Sequence, residues 1–201
     1  MAGGAATRMG GVEKPIVPLD GRPLIAYVID ALAASQKIGH IYVAVSGRVP
    51  MTVEYIKTAY GSDPGVSAVM TPGAGYVEDT AYAAEALGLS RPFLVISSDV
   101  PLATPEVIDE AVTRYEDSGC EALSVRVDAS SLPPGLQPDT ILEDDGKRNV
   151  PAGINIVDGR LMGRYQRELI LVVTDGRLAV NVNRPKDIAF CERIIRGERS
   201  L

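Results

Sequence analysis

The chain has 201 residues, 46% of them hydrophobic, and its 26 acidic against 20 basic side chains leave a formal net charge of -6. That length suits one α/β domain with a substantial core, and the acidic balance, without a Lys/Arg cluster interleaved with aromatics, argues against a nucleic-acid partner. Every apolar run is broken by a charge, Gly or Pro before a bilayer could be spanned, and no basic segment followed by an apolar one opens the chain, so a single domain over 1–201 in the cytoplasm is expected.

In chain order, a Gly-rich opening leads to Leu24, Tyr27, Val28, Ala31 and Leu32, whose spacing predicts an amphipathic helix. Ile41 to Val45 reads as a buried strand, Val53, Ile56 and Tyr60 as a second helix, and Ala68 to Met70 as a short strand. The Ala-rich stretch Tyr76 to Leu87 is expected to be helical, and Phe93 to Ile96 is the clearest strand. Thr104-Pro105-Glu106 opens a helix with a capping hydroxyl, a proline at its first position and an acid near its positive end. Leu123 to Val127 follows as a strand, and Ala129 to Pro138, with three prolines, as a loop. Ile154 to Val157, Leu169 to Val173 and Val180 to Val182 supply further short strands before a last helix carrying Ile188, Cys191 and Ile195. This alternation predicts an α/β fold, a three-layer α/β/α sandwich on a Rossmann-like, mostly parallel sheet with ligands at the carboxyl ends of its strands; the strand-rich last third suits an antiparallel addition.

Four segments carry candidate chemistry. Met1 to Pro15 gathers glycines around Arg8 and Lys14: adjacent glycines let backbone N–H groups turn toward an anion, with a planar fork and a mobile point charge beside them. The segment suits a triphosphate, yet it has neither dinucleotide-fingerprint nor Walker spacing, and a Gly-rich terminus with solvated cations is the plain alternative. Asp99, in Ser97-Ser98-Asp99, ends the best strand, where a lone carboxylate suits Mg²⁺; a turn aspartate is the alternative. Asn181 and Asn183 share one side of a predicted strand, so that either completes a metal shell, or Asn183 caps a helix. Gly73, Gly75, Tyr76, Glu78 and Asp79 bring glycines and acids to a helix start, where a carboxylate suits guanine N1–H and the N2 amino group, unless the acids only answer the helix dipole. Cys120, Cys191 and the lone His40 do not make a zinc set.

Together these segments resemble the MobA-like NTP transferase superfamily, whose pattern of Gly-Gly, Arg-Met-Gly and Lys-Pro falls here on Gly3-Gly4, Arg8-Met9-Gly10 and Lys14-Pro15. More narrowly, Gly10 to Pro15, Gly75 to Asp79, Ser97 to Asp99 and Val150 to Asn155 are similar to archaeal GTP:adenosylcobinamide-phosphate guanylyltransferases. The resemblance implies transfer of GMP from GTP to a phosphorylated acceptor with release of pyrophosphate. It implies Ala2, Gly3, Gly4, Arg8 and Lys14 on the triphosphate, Asp99 and Asn183 on Mg²⁺, Gly75, Tyr76, Glu78 and Asp79 near guanosine, and Gly153 and Asn155 near the acceptor. Arg8, Lys14 and Asp99 are the expected catalytic set. Loading of molybdopterin or another small phosphorylated molecule, and a non-catalytic nucleotide-binding module, are the competing readings; a homodimer stays open. Relatives begin with a short apolar strand ahead of the Gly-Gly loop, whereas this chain starts at Met1-Ala2-Gly3. The expectation is a misplaced start, with Met1 the last residue of that strand and with reduced stability and GTP affinity in the chain as written.

Overall fold

The computed structural model describes residues 1–3 and 12–198. A 3-10 turn at Lys14–Ile16 leads into a hairpin of β1 (Pro18–Leu19) and β2 (Arg22–Pro23). Its turn is Asp20-Gly21, with φ of 47° and 79°, the two positive values that a two-residue type I′ turn demands. Helix α1 (Leu24–Ala34) buries Leu24, Ile25, Val28, Ile29 and Leu32. Strand β3 (Ile41–Ser46), helix α2 (Pro50–Tyr60) and strand β4 (Val66–Thr71) then form a βαβ unit with parallel register from Ile41↔Val66 to Ser46↔Thr71. After α3 (Tyr76–Ala86) and β5 (Pro92–Ile96), α4 (Pro105–Ser118) starts as its sequence predicts: the Thr104 hydroxyl accepts from the Val107 amide, and Pro105 sits at the first turn.

The second half is β6 (Ala122–Asp128), β7 (Leu142–Asp144), β8 (Lys147–Asp158), β9 (Glu168–Val173) and α5 (Pro185–Ile195). Strand β8 extends seven residues upstream of the apolar Ile154 that marks it in sequence; its first half is a hairpin arm joined to β7 by Asp145-Gly146, again with two positive φ values. It lies between β5 and β6 and is antiparallel to both, while β6 and β9 are parallel. Val180 to Val182 does not form the expected strand. Val180 and Val182 are buried with Leu19, Leu24, Phe190 and Cys191 in a small second core, so their apolar alternation records packing, with no ladder behind it. The main core joins α1 and α4 to the sheet through Ile108, Leu123, Val125 and Ile154, all essentially without exposed surface.

The fold is the expected three-layer α/β/α sandwich, but the strands are hydrogen-bonded in separate groups: β3 with β4, and β5-β8-β6-β9 with β7 on β8. Residues 1 and 2 lie between the groups. The Met1 ammonium donates to the Ile96 carbonyl (2.7 Å), the Ser98 amide donates to the Met1 carbonyl (3.1 Å), and the Ala2 amide donates to the Ala44 carbonyl (2.8 Å). No helix among the described residues is long and apolar enough to cross a membrane.

Candidate active site

The site is assembled at the carboxyl ends of β3, β4 and β5, where backbone leaves the sheet and side chains face outward. Glu13 fixes the approach to it. Its buried carboxylate accepts from the Met51 amide (2.8 Å) and from the Thr52 amide (2.6 Å) and hydroxyl (2.7 Å), joining the segment before Lys14 to the start of α2. A carboxylate there also answers the positive end of that helix. Lys14 is thereby held at the first residue of the 3-10 turn, with Pro15 buried beneath it.

The Lys14 ammonium is shared by two side chains from distant parts of the chain. It forms a short ion pair with Asp99 Oδ2 and donates to Asn183 Oδ1 at 2.5 Å. The Lys14 and Asp99 side chains are 18% and 21% exposed, so the pair faces a partly open cleft. The backbone locks this convergence: the Val182 amide donates to the Asp99 carbonyl (2.8 Å), so the strand-end aspartate positions the segment bearing Asn183. Asn183 does not cap α5. The Asp187 carboxylate accepts from the Asn183 and Arg184 amides (2.9 and 2.8 Å), leaving the Asn183 side chain for Lys14 and, through its NH₂, for Asp139 (3.0 Å). Asp139 also pairs with Arg184 at 2.5 Å. The other asparagine, Asn181, has a buried oxygen without a hydrogen-bond partner among the described residues, beside a small hollow of about 120 Å³ lined by Asn183, Arg184 and Asp139.

The second part of the site is the turn between β4 and α3. Asp79 is buried, and its Oδ1 accepts from the amides of Gly73 (2.9 Å) and Ala74 (3.1 Å), closing the turn on itself. Gly73 has φ of 73°, which glycine adopts at no steric cost. A Cβ on Gly3 would stand 3.5 Å from Ser46 Oγ and 3.6 Å from Asp79 Oδ2, so Gly3 lies against this turn. Glu78 is exposed, with its carboxylate folded over Gly75. Tyr76 crosses to the other strand group: its hydroxyl accepts from Asn155 Nδ2 at 3.1 Å, and desolvation raises its pKa above the usual phenol value. Gly153, with φ of 71°, sits where the β6–β8 register shifts; its carbonyl accepts from the Ser97 amide (2.9 Å), and a Cβ there would meet Val100 Cγ1 at 3.0 Å. That close approach, which a side chain would push apart, is a structural reason for glycine beside the Asp99 segment.

Of the sequence-predicted residues, Lys14, Asp99 and Asn183 are therefore in direct contact, and Ala2, Gly3, Gly75, Tyr76, Glu78, Asp79, Gly153 and Asn155 border the same ends of the strands. Gly4 and Arg8 lie outside the described residues. Glu13, Asp139 and Arg184 escape sequence reasoning; the one signal for Asp139 is an acid directly after the proline-rich loop. Cys191 is fully buried and its thiol is pushed up to about 12 by desolvation, as an inert core residue would be. Among the described residues no group of three or more His, Cys, Asp or Glu side chains converges as a metal cage. Asp99 and Asn183 nevertheless present two hard oxygens to one cationic nitrogen, a donor set that fits an ion needing few protein ligands.

Residues 1–144 match the family model described as the MobA-like NTP transferase domain: the chain belongs to that family of nucleotidyltransferases. Across 199 residues it is 37% identical to the adenosylcobinamide-phosphate guanylyltransferase of Methanocaldococcus jannaschii, covering 98% of this chain and 96% of that protein. A probable molybdenum cofactor guanylyltransferase of Thermococcus kodakarensis is 32% identical over 118 residues, 59% of this chain and 53% of the relative. Among solved structures, molybdopterin-guanine dinucleotide biosynthesis protein A from Archaeoglobus fulgidus superposes with a TM-score of 0.63 at 18% identity, covering 98% of this chain and 96% of that one. At that identity the likeness speaks for the fold alone.

Proposed function

We propose that the protein transfers GMP from GTP to adenosylcobinamide phosphate, giving adenosylcobinamide-GDP and pyrophosphate. The observation that carries the reading is the Lys14 ammonium held jointly by Asp99 and Asn183 at the strand ends; the identity over 98% of the chain to a protein of that name supports the acceptor. Asp99 and Asn183 are the residues that would hold Mg²⁺, which when bound neutralises phosphate charge and polarises the α-phosphoryl group. Lys14 then exchanges its carboxylate partner for phosphate oxygens, and the glycine amides of the opening segment, with Arg8, complete the anion site. The acceptor phosphate is ionised near neutral pH, so attack on the α-phosphorus needs no general base, and the protein's contribution is alignment and charge neutralisation. Guanine is read at the Tyr76–Asp79 turn. Because Asp79 Oδ1 is spent on two backbone amides, the carboxylate for the base edge is Glu78.

The test is pyrophosphate release from each of four NTPs with adenosylcobinamide phosphate, with molybdopterin as the competing acceptor and Asp99→Ala as control. GTP with the corrinoid phosphate should give the fastest release. Faster turnover with molybdopterin would replace the acceptor assignment, and a full rate in the control would remove Asp99 from the chemistry.

A further inference from the structure

The proline-rich loop, residues 129–138, is held in place by packing. A Cβ on Gly176 would stand 2.0 Å from the Ser131 carbonyl oxygen and 2.9 Å from Pro133 Cδ, so the loop lies directly on the chain that leads to Asn183. Leu136 packs against both cores, and its amide donates to the Pro133 carbonyl at 3.1 Å. The loop thus delivers Asp139 to a fixed place beside the start of α5. There Asp139 uses both carboxylate oxygens: Oδ1 accepts from Arg184 Nη2 at 2.5 Å, and Oδ2 accepts from Asn183 Nδ2 at 3.0 Å. An asparagine amide is planar, with its oxygen and its NH₂ on opposite corners, so a carboxylate on the NH₂ fixes the direction of the oxygen. Here that direction is toward Lys14 Nζ, 2.5 Å away.

We propose that Asp139 is a positioning residue, which holds the Asn183 amide with its oxygen facing the Mg²⁺ site and its NH₂ turned away. The inference rests on the guanylyl-transfer reading, in which Lys14 leaves for phosphate oxygens and Asn183 Oδ1 becomes a metal ligand. Once Lys14 has moved, the amide loses the bond that favoured this orientation from the front, and the bond to Asp139 keeps it from behind. An amide turned over would set two N–H donors against a divalent cation that takes only oxygen. The carboxylate also polarises the amide, leaving more negative charge on its oxygen, as outer hydrogen-bond partners do for metal ligands in general. Asp187 does not do the same work. Its carboxylate holds the backbone amides of Asn183 and Arg184, which fixes the main chain and leaves the side chain to turn.

Two measurements test this, and neither involves turnover. In the protein alone, the isotope-labelled side-chain amide of Asn183 is followed by NMR, and its NH₂ protons should exchange with water about fivefold faster in Asp139→Ala. In the complex with a GTP analogue bearing a methylene bridge between its α and β phosphorus atoms, with no acceptor present, Mn²⁺ is titrated by EPR. Asp139→Ala should raise the Mn²⁺ Kd about tenfold, the lower end of the range for an outer partner, because the Asp139 side chain is 29% exposed. Asn183→Ala should raise it at least as much, and the double variant no further than Asn183→Ala alone. Asp139→Asn, which keeps an accepting oxygen, should fall between Asp139→Ala and the unaltered protein. Losses that multiply in the double variant would overturn the proposal, since Asp139 would then act by a route other than Asn183; unchanged exchange of the Asn183 amide would overturn it too. An Asn183→Ala protein with unaltered Mn²⁺ affinity would instead strike the metal role that the guanylyl-transfer reading gives Asn183, and this inference with it.

Discussion

Two carboxylates near the carboxyl ends of strands in the two separate groups are held in opposite ways. Asp79, in the first turn of α3, is buried and bonds backbone amides of the loop after β4; Asp99, in the turn after β5, is partly exposed and bonds the ammonium of Lys14. A carboxylate spent on backbone N–H groups shapes a loop, since no ligand replaces those donors without unfolding the turn. One paired with a lysine keeps a partner that a cation or phosphate can displace. The two regions thus divide labour between form and exchangeable charge.

The sharpest way to break the contrast is at Asp99. Asp99→Ala should lower kcat by about a thousandfold, in line with removing several kcal/mol of charge stabilisation at the phosphoryl centre. It should cost about 1–2 kcal/mol of stability, because the pair is only 18% and 21% exposed but Lys14 keeps Asn183 as a partner. Steady-state kinetics beside a urea melt separates the two; a large stability loss with modest kinetic change would make Asp99 a structural residue like its neighbour.

Asp79→Ala should do the reverse. It strands the Gly73 and Ala74 amides, at a cost of about 2–3 kcal/mol for buried donors left unpaired, or roughly 5–10 °C in Tm for a chain of this size. Asp79→Asn keeps an accepting oxygen and should recover about half. If the alanine variant melts normally but loses GTP affinity, the carboxylate is reading ligand.

Much of this was legible in sequence because it is local. The Thr104-Pro105 start of α4, the apolar faces of α1 and β3, and the placement of Lys14, Asp99 and Asn183 at element ends all follow from spacing and from residue chemistry. What was not legible is long-range. Glu13 anchors a helix that begins 37 residues later, and nothing beside it announces that. Lys147 to Asn149 belong to a strand through cross-strand partners on β7 and carry no apolar signal of their own. Val180 and Val182 mislead for the converse reason: alternation marks burial, and burial occurs without a ladder. The roles of Glu78 and Asp79 are indistinguishable in sequence, because adjacent acids in a first helical turn point apart and only the fold says which one meets the loop.

That last distinction yields the smallest expected effect and the finest discrimination. Glu78 is exposed beside Gly75, and its carboxylate is free of the backbone bonds that occupy Asp79 Oδ1. A carboxylate accepts from both the N1–H and the N2 amino group of guanine, whereas an amide offers one acceptor and sets a donor against the other N–H. Glu78→Gln should therefore lower kcat/KM for GTP by roughly tenfold, about 1.4 kcal/mol, and lower it less for ITP, which lacks the amino group, with Tm unchanged. An equal loss for GTP and ITP would move base recognition away from Glu78, and a fall in Tm matching that of Asp79→Ala would show that both acids serve the turn.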